Sequence, residues 1–299
     1  MSKSLSALCM VLFLLVNLQG AANAAPQEQG AEFKSLFNGK DLTGWEGDPR
    51  LWSVKDGVIR GETTADKRTN KNTFLIWEGT ASDFEMKITF RCNATNNSGI
   101  QYRSKRFQSD KTPKNKWRVK GYQHEIRNEN TPPNLPGFIY DEGGKRGRIC
   151  LAGEKAEWND GKKKTTLDTI VSNEDLTKLV KVDDWNAVRI VAKGNHIQHY
   201  LNGKLILDFT DNHPTRALSE GIIALQLHHG KPMWVEFKDI MFRDLKSDSG
   251  SAKKEDMKGS DKKADGSEKK PSEGSAEKKM EAATGSQGSG KPAGSGEKK

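Results

Sequence analysis

The chain has 299 residues, 49 of them Lys or Arg and 40 Asp or Glu, for a formal net charge of +9 at pH 7. That excess forms no continuous stripe and accompanies no recognisable nucleic-acid-binding module, so a nucleic-acid partner is excluded. Three cysteines are too few to make a disulfide framework.

Residues 1–24 combine a cationic start at Lys3, an apolar run over 5–18 and a closing Ala22-Asn23-Ala24. This pattern predicts a secretory signal peptide cleaved after Ala24, because the apolar run is too short to span a bilayer; an uncleaved N-terminal anchor is the competing reading. No other stretch is apolar enough to form a transmembrane segment, so export to the periplasm or the extracellular space is expected. Residues 25–32 read as a linker. Cys9 leaves with the signal, while Cys92 and Cys150 remain either as one disulfide or as two separately buried thiols.

The body at 33–245 reads as one all-β domain. Strands are predicted at 51–54, 58–61, 73–77, 84–91, 98–103, 122–126, 138–140, 148–151, 185–193, 196–201, 204–209, 221–228 and 235–243, each short, alternating and bounded by Gly, Asn, Asp or Pro. One short helix is predicted at 173–179, with a loop at 155–169 leading into it. Asn202-Gly203 is the residue pair of a type I′ hairpin, and Gly194-Asn195 is a second hairpin signal, so 185–208 reads as a three-strand meander. Many antiparallel strands in one domain of this size predict two packed sheets, a sandwich or jelly roll. Residues 246–299 mix Lys with Asp, Glu, Gly, Ser and Ala, which cannot bury enough apolar surface to order the chain, and predict a disordered tail.

The densest collection of acid and base groups lies at 117–148. Side chains alternate across a strand, so Gln123 and Glu125 share one face and Tyr122, His124 and Ile126 the other; Tyr140 pairs with Glu142 by the same rule. A Pro-rich turn separates the two segments, and a cationic run of Lys145, Arg146 and Arg148 follows. Alternation over 222–228 turns Ile223, Leu225 and Leu227 inward and Gln226 and His228 outward, with His229 on the opposite face from His228. Over 97–103 it places Ile100 and Tyr102 in the core and Gln101 and Arg103 outside. His124 reads as an interior histidine. Glu125 also fits an ion pair with Arg103 or Arg127, and Tyr140 also fits a core aromatic.

Several short motifs occur in order: FKSLFNGKDLTGW at 33–45, NSGIQYR at 97–103, GYQ at 121–123, YDE at 140–142, WN at 185–186, LNG at 201–203, LQLH at 225–228 and VEF at 235–237. Together they resemble the 3-keto-disaccharide hydrolase family, formerly the domain of unknown function 1080. The resemblance implies a concanavalin A-like lectin/glucanase jelly-roll sandwich of two antiparallel sheets. It also implies 3-keto-glycoside substrates, cleaved by a lyase step and in some members followed by hydration of the 2-hydroxyglucal. Many family members have an acid where Gln123 stands and an amide where Glu125 stands; here the two are exchanged, which resembles a separate subgroup.

A keto group at C3 acidifies the C2 hydrogen, so the chemistry needs a base, a stabiliser for the enolate oxygen and an acid for the leaving group. Strand parity and the resemblance together nominate Glu125 or His228 as base, Arg103 as clamp and Tyr140 as acid. Gln101, Gln123, Gln226, Asp141 and Glu142 complete the set as substrate-binding groups. No closed metal motif is present, although Glu125, His228 and Asp141 form a candidate ligand set for a divalent ion. Glu129 falls in a loop beyond Glu125, which argues against a double-carboxylate glycosidase. An oxidoreductase would be the partner that supplies the keto sugar. The competing function is a non-catalytic lectin-like carbohydrate-binding module using Trp45, Trp117, Trp158 or Trp234 as stacking platforms.

Overall fold

Short alternating segments each carry one apolar face that must leave water, and the chain buries those faces by stacking one sheet on another. The computed structural model describes residues 32–93, 97–107, 116–160 and 163–245. The expected signal peptide, most of the expected linker and the expected tail at 246–299 lie outside the described residues. No helix among the described residues is long and apolar enough to cross a membrane.

In chain order the strands are β1 (Lys34–Ser35), β2 (Trp45–Glu46), β3 (Trp52–Lys55), β4 (Val58–Thr63), β5 (Thr73–Trp77), β6 (Phe84–Cys92), β7 (Ser98–Arg106), β8 (Val119–Ile126), β9 (Ile139–Glu142), β10 (Arg148–Cys150), β11 (Glu154–Trp158) and β12 (Thr165–Thr169). The helix α1 (Asn173–Leu179) follows, then β13 (Asn186–Lys193), β14 (His196–Leu201), β15 (Lys204–Asp211), β16 (Ile222–Leu227) and β17 (Met233–Asp244). One sheet has ten strands in the order β12-β11-β15-β14-β13-β6-β17-β4-β3, with β1 paired to β17. The other has seven, in the order β10-β9-β8-β7-β16-β5-β2. This is the expected concanavalin A-like jelly-roll sandwich, and every strand pair is antiparallel except β11 with β15.

The inner faces meet in one continuous core. Phe84, Ile88, Phe90, Ile190 and Ile197 come from the larger sheet; Ile100, Tyr102, Tyr122, Ile126, Ile223, Leu225 and Leu227 come from the smaller. The Phe84 ring packs edge-on to Tyr102 with centroids 6.1 Å apart and stacks on Phe242 at 5.7 Å. The β14–β15 turn has φ of 47° at Asn202 and 87° at Gly203, the pair of positive values that a type I′ hairpin requires. In α1, Ser172 caps by accepting a hydrogen bond from the Asp175 amide, and Leu176 is the buried anchor.

One expectation about this body needs correction, and one open alternative is decided. The predicted loop at 155–169 contains the strands β11 and β12. Every residue of β12 is exposed, so this edge strand has no buried face to imprint a period-two pattern. Cys92 and Cys150 are both free and buried, which selects the two-thiol alternative. Burial pushes each thiol up to about 12.

Candidate functional site

The outer face of the seven-stranded sheet carries the residues that alternate with its core side chains. Cross-strand register places Tyr140 beside Gln123, Gln123 beside Gln101, and Glu125 beside Gly99. Of these, Gln123, Glu125 and Tyr140 line a pocket of about 360 Å³ together with Glu142, Gln226 and His228. The strands thus unite six of the nine nominated residues.

A directed hydrogen-bond chain runs along the floor. Ser104 Oγ donates to Gln101 Oε1 at 2.7 Å, Gln101 Nε2 to Gln123 Oε1 at 2.6 Å, and Gln123 Nε2 to Glu125 Oε2 at 2.8 Å. The other Glu125 oxygen accepts from Asn97 Nδ2 at 2.7 Å and from Arg127 Nε at 3.0 Å. Gly99 makes this packing feasible: a Cβ there would lie 2.3 Å from Gln123 Cδ. Gln101 is buried behind Gln123 and supports the floor without lining the cavity.

A second carboxylate, Glu142, accepts from Asn72 Nδ2 at 3.1 Å and from Gln226 Nε2 at 3.2 Å. Burial raises the pKa of both Glu125 and Glu142, outweighing Arg127, Gln123 and Asn97 at the first and Asn72, Arg118 and Gln226 at the second. Burial likewise raises Tyr140, helped by the charges of Glu142 and Glu125. His228 moves the other way: desolvation lowers its pKa, so the imidazole is neutral at pH 7. Its Nδ1 lies 2.7 Å from the His229 carbonyl, which can only accept, so Nδ1 carries the proton and Nε2 keeps its lone pair.

Arg103 is not in this pocket. Its side chain is 0% exposed and bonds the carbonyls of Ser82, Gly194 and Leu218 at 2.8, 2.7 and 3.2 Å, with Asp83 at 3.1 Å. The cause is local: the β7–β8 register shifts between Tyr102 and Lys105, and Arg103 adopts φ of 48°, so simple alternation ends there. Asp141 also faces away, opposite Tyr122, where its Oδ2 accepts the Arg146 amide at 2.9 Å. The candidate metal set of Glu125, His228 and Asp141 is therefore not assembled. Among the described residues no group of three or more His, Cys, Asp or Glu could hold a metal ion.

His124 is interior as expected, its Nδ1 3.1 Å from His199 Nδ1. His228 and His229 do not diverge; β16 ends at Leu227, beyond which the two rings stack with centroids 4.7 Å apart and both line the pocket. Sequence reasoning left the remaining walls out of the site: Asn72, Asn97, Arg127, Phe138 and Arg148. Of these, Arg127 continues the parity of Gln123 and Glu125, Asn97 shares that of Gln101, Phe138 that of Tyr140, and Arg148 belongs to the cationic run; Asn72 carried no signal. The Glu125–Arg127 ion pair weighed above does form, but buried on the pocket floor. None of Trp45, Trp117, Trp158 and Trp234 lines the pocket.

A family profile described as the 3-keto-alpha-glucoside-1,2-lyase-like domain matches residues 32–243. The chain belongs to this family. Membership makes it a carbohydrate-active protein. Among solved structures, a Parabacteroides distasonis ATCC 8503 protein provisionally named a glycosyl hydrolase is 22% identical, with a TM-score of 0.46 over 72% of this chain and 100% of the other. The Bacillus licheniformis beta-glucanase is 14% identical, with a TM-score of 0.41 over 73% and 99%. The carbohydrate binding module CBM66 from Bacillus subtilis is 16% identical, with a TM-score of 0.40 over 67% and 96%. No curated protein sequence matches the chain.

Proposed function

We propose that the protein is an exported lyase that cleaves 3-keto-glycosides by deprotonation at C2 and β-elimination of the C1 substituent. The observation that carries this reading is His228: neutral, fixed by the His229 carbonyl in the tautomer that leaves Nε2 unprotonated, and lining a pocket that also holds Tyr140 and Glu142.

His228 Nε2 takes the C2 proton, and the electron pair moves onto the C3 oxygen as an enolate. Collapse of the enolate re-forms the C3 carbonyl, makes the C1–C2 double bond and breaks the C1–O bond. Tyr140 gives the departing oxygen its proton. Glu125 suits the base role less well, because its oxygens already accept from Asn97, Arg127 and Gln123 and it is 2% exposed. It instead orients Arg127, whose Nη1 is left with a 3.7 Å ion pair to Glu129 and takes the enolate role first expected of Arg103. Gln226 Oε1 and Asn97 Oδ1, buried with no hydrogen-bond partner among the described residues, suit sugar hydroxyls. Addition of water across the new double bond would complete net hydrolysis. The keto substrate requires prior oxidation at C3 by an oxidoreductase.

The test compares a 3-keto-disaccharide with its unoxidised parent, with protium or deuterium at C2. Elimination of the keto sugar alone, with a primary isotope effect, is the expected result. Cleavage of both sugars at similar rates, or of neither, overturns the proposal.

A further inference from the structure

One charged group of the pocket is not used by this chemistry. Arg148 sits on the edge strand β10, directly opposite Tyr140 in the register. Its guanidinium lies 4.8 Å from the Phe138 ring centroid and is pinned by weak bonds to neutral acceptors, the Pro133 carbonyl at 3.2 Å and Asn134 Oδ1 at 3.4 Å. Arg127, by contrast, is paired with Glu125, and Arg146 is buried against Asp211. No carboxylate among the described residues pairs with Arg148. Arg148 is exposed, and its five N–H donors in a fork, two of them weakly engaged, leave an anion receptor lining the cavity.

Position fixes which part of the substrate would meet it. The leaving oxygen must approach the acid that protonates it, and Tyr140 is the cross-strand neighbour of Arg148, so the departing group lies on the Arg148 side. We propose that Arg148, held on Phe138, forms an aglycone subsite selective for a leaving group that carries a carboxylate, such as a uronic acid or an aromatic acid. This inference rests on the proposed orientation of elimination, but the receptor itself is testable without turnover.

The experiment measures equilibrium binding of two unoxidised glucosides, 4-carboxyphenyl and 4-carbamoylphenyl, to the protein and to its Arg148→Met and Arg148→Lys variants. The carboxylate ligand is expected to bind about fivefold more tightly at low salt, as a partly exposed charge-assisted pair allows, with the advantage shrinking as salt is raised. Arg148→Met should bring the ratio to about one and Arg148→Lys should keep part of it, since a lysine retains charge but loses the fork. A ratio unchanged in Arg148→Met, or absent in the unaltered protein, overturns the subsite. Turnover of the two 3-keto-glycosides is then read separately: a retained binding ratio without elimination removes the proposed activity and leaves the subsite standing.

Discussion

Replacing Arg103 with methionine separates a structural arginine from a catalytic one. The side chain holds three backbone carbonyls from three separate segments, Ser82, Gly194 and Leu218, and also meets Asp83. Methionine fills similar volume but donates nothing, so those acceptors are stranded unless water reaches them, at about 1–3 kcal/mol for each one that stays dry. With partial rehydration the expected loss is about 3–5 kcal/mol, in the range for breaking a buried charged network. Arg103→Lys should recover only part of this, because one ammonium cannot reproduce the guanidinium fork. Urea denaturation gives the stability change, and initial rates on a 3-keto-disaccharide well below the unfolding transition give the activity of folded protein. The rate per folded molecule should stay within about threefold, since no substrate contact is removed. A variant that keeps its stability to within about 1 kcal/mol while losing activity about 100-fold would place Arg103 on the substrate and refute this reading.

His228→Asn should cut kcat/KM by about 100- to 10,000-fold, the range for removing a general base, with an unchanged unfolding midpoint. In the unaltered protein kcat/KM should fall as pH drops through a pKa below the usual histidine value, because only neutral His228 is active. Gly99→Ala should lower activity about tenfold or more by pushing Gln123 off Glu125, and should cost about 1–3 kcal/mol of stability as an overpacked site, measured by thermal and kinetic assays. Cys92 and Cys150 should resist alkylation in the native protein and react after unfolding, as mapped by mass spectrometry.

Strand parity was informative wherever a strand ran unbroken. Gln123 and Glu125 on β8 and Gln226 on β16 face the pocket because nothing interrupts the period of two between them and their apolar neighbours. The same rule failed at Arg103, where a register shift and a positive φ break the alternation, and at His228–His229, which lie past the end of β16. Asn72 flanks a strand, where side-chain direction is set by turn geometry and carries no periodic signal, whereas Asn97 and Phe138 each sit one residue before a strand and share the parity of Gln101 and Tyr140. The fold was legible because burial of one face imprints most inner strands; β11 was missed although Ala156 and Trp158 are buried, β12 because it has no buried face, and β1 and β2 because two residues make no period.

The pocket depends on a layer of neutral histidines behind it. His199 Nδ1 bonds the Gly137 carbonyl at 2.8 Å, and Tyr102 Oη lies 2.9 Å from His199 Nε2. The Gly137 amide in turn donates to the Glu125 carbonyl at 2.9 Å, so this contact ties β14 of the larger sheet to the segment carrying Phe138 and Tyr140. Burial lowers His199 to about 4, and His124 shifts in the same direction for the same reason, with the His199 charge as a smaller cause. An unfolded histidine binds its proton near pH 6.5 and these do not, so stability is full above that value and is lost as pH falls toward the folded pKa. For His199 alone the loss between about pH 6.5 and 4 is about 3 kcal/mol. Glu125 and Glu142, with raised pKa values, act in the opposite sense and remove stability as pH rises through them. His199→Gln should therefore flatten the acid limb of a urea-midpoint profile between about pH 6.5 and 4 while leaving the His228 limb of kcat/KM in place. A stability profile as steep in the variant as in the unaltered protein would remove His199 from the account.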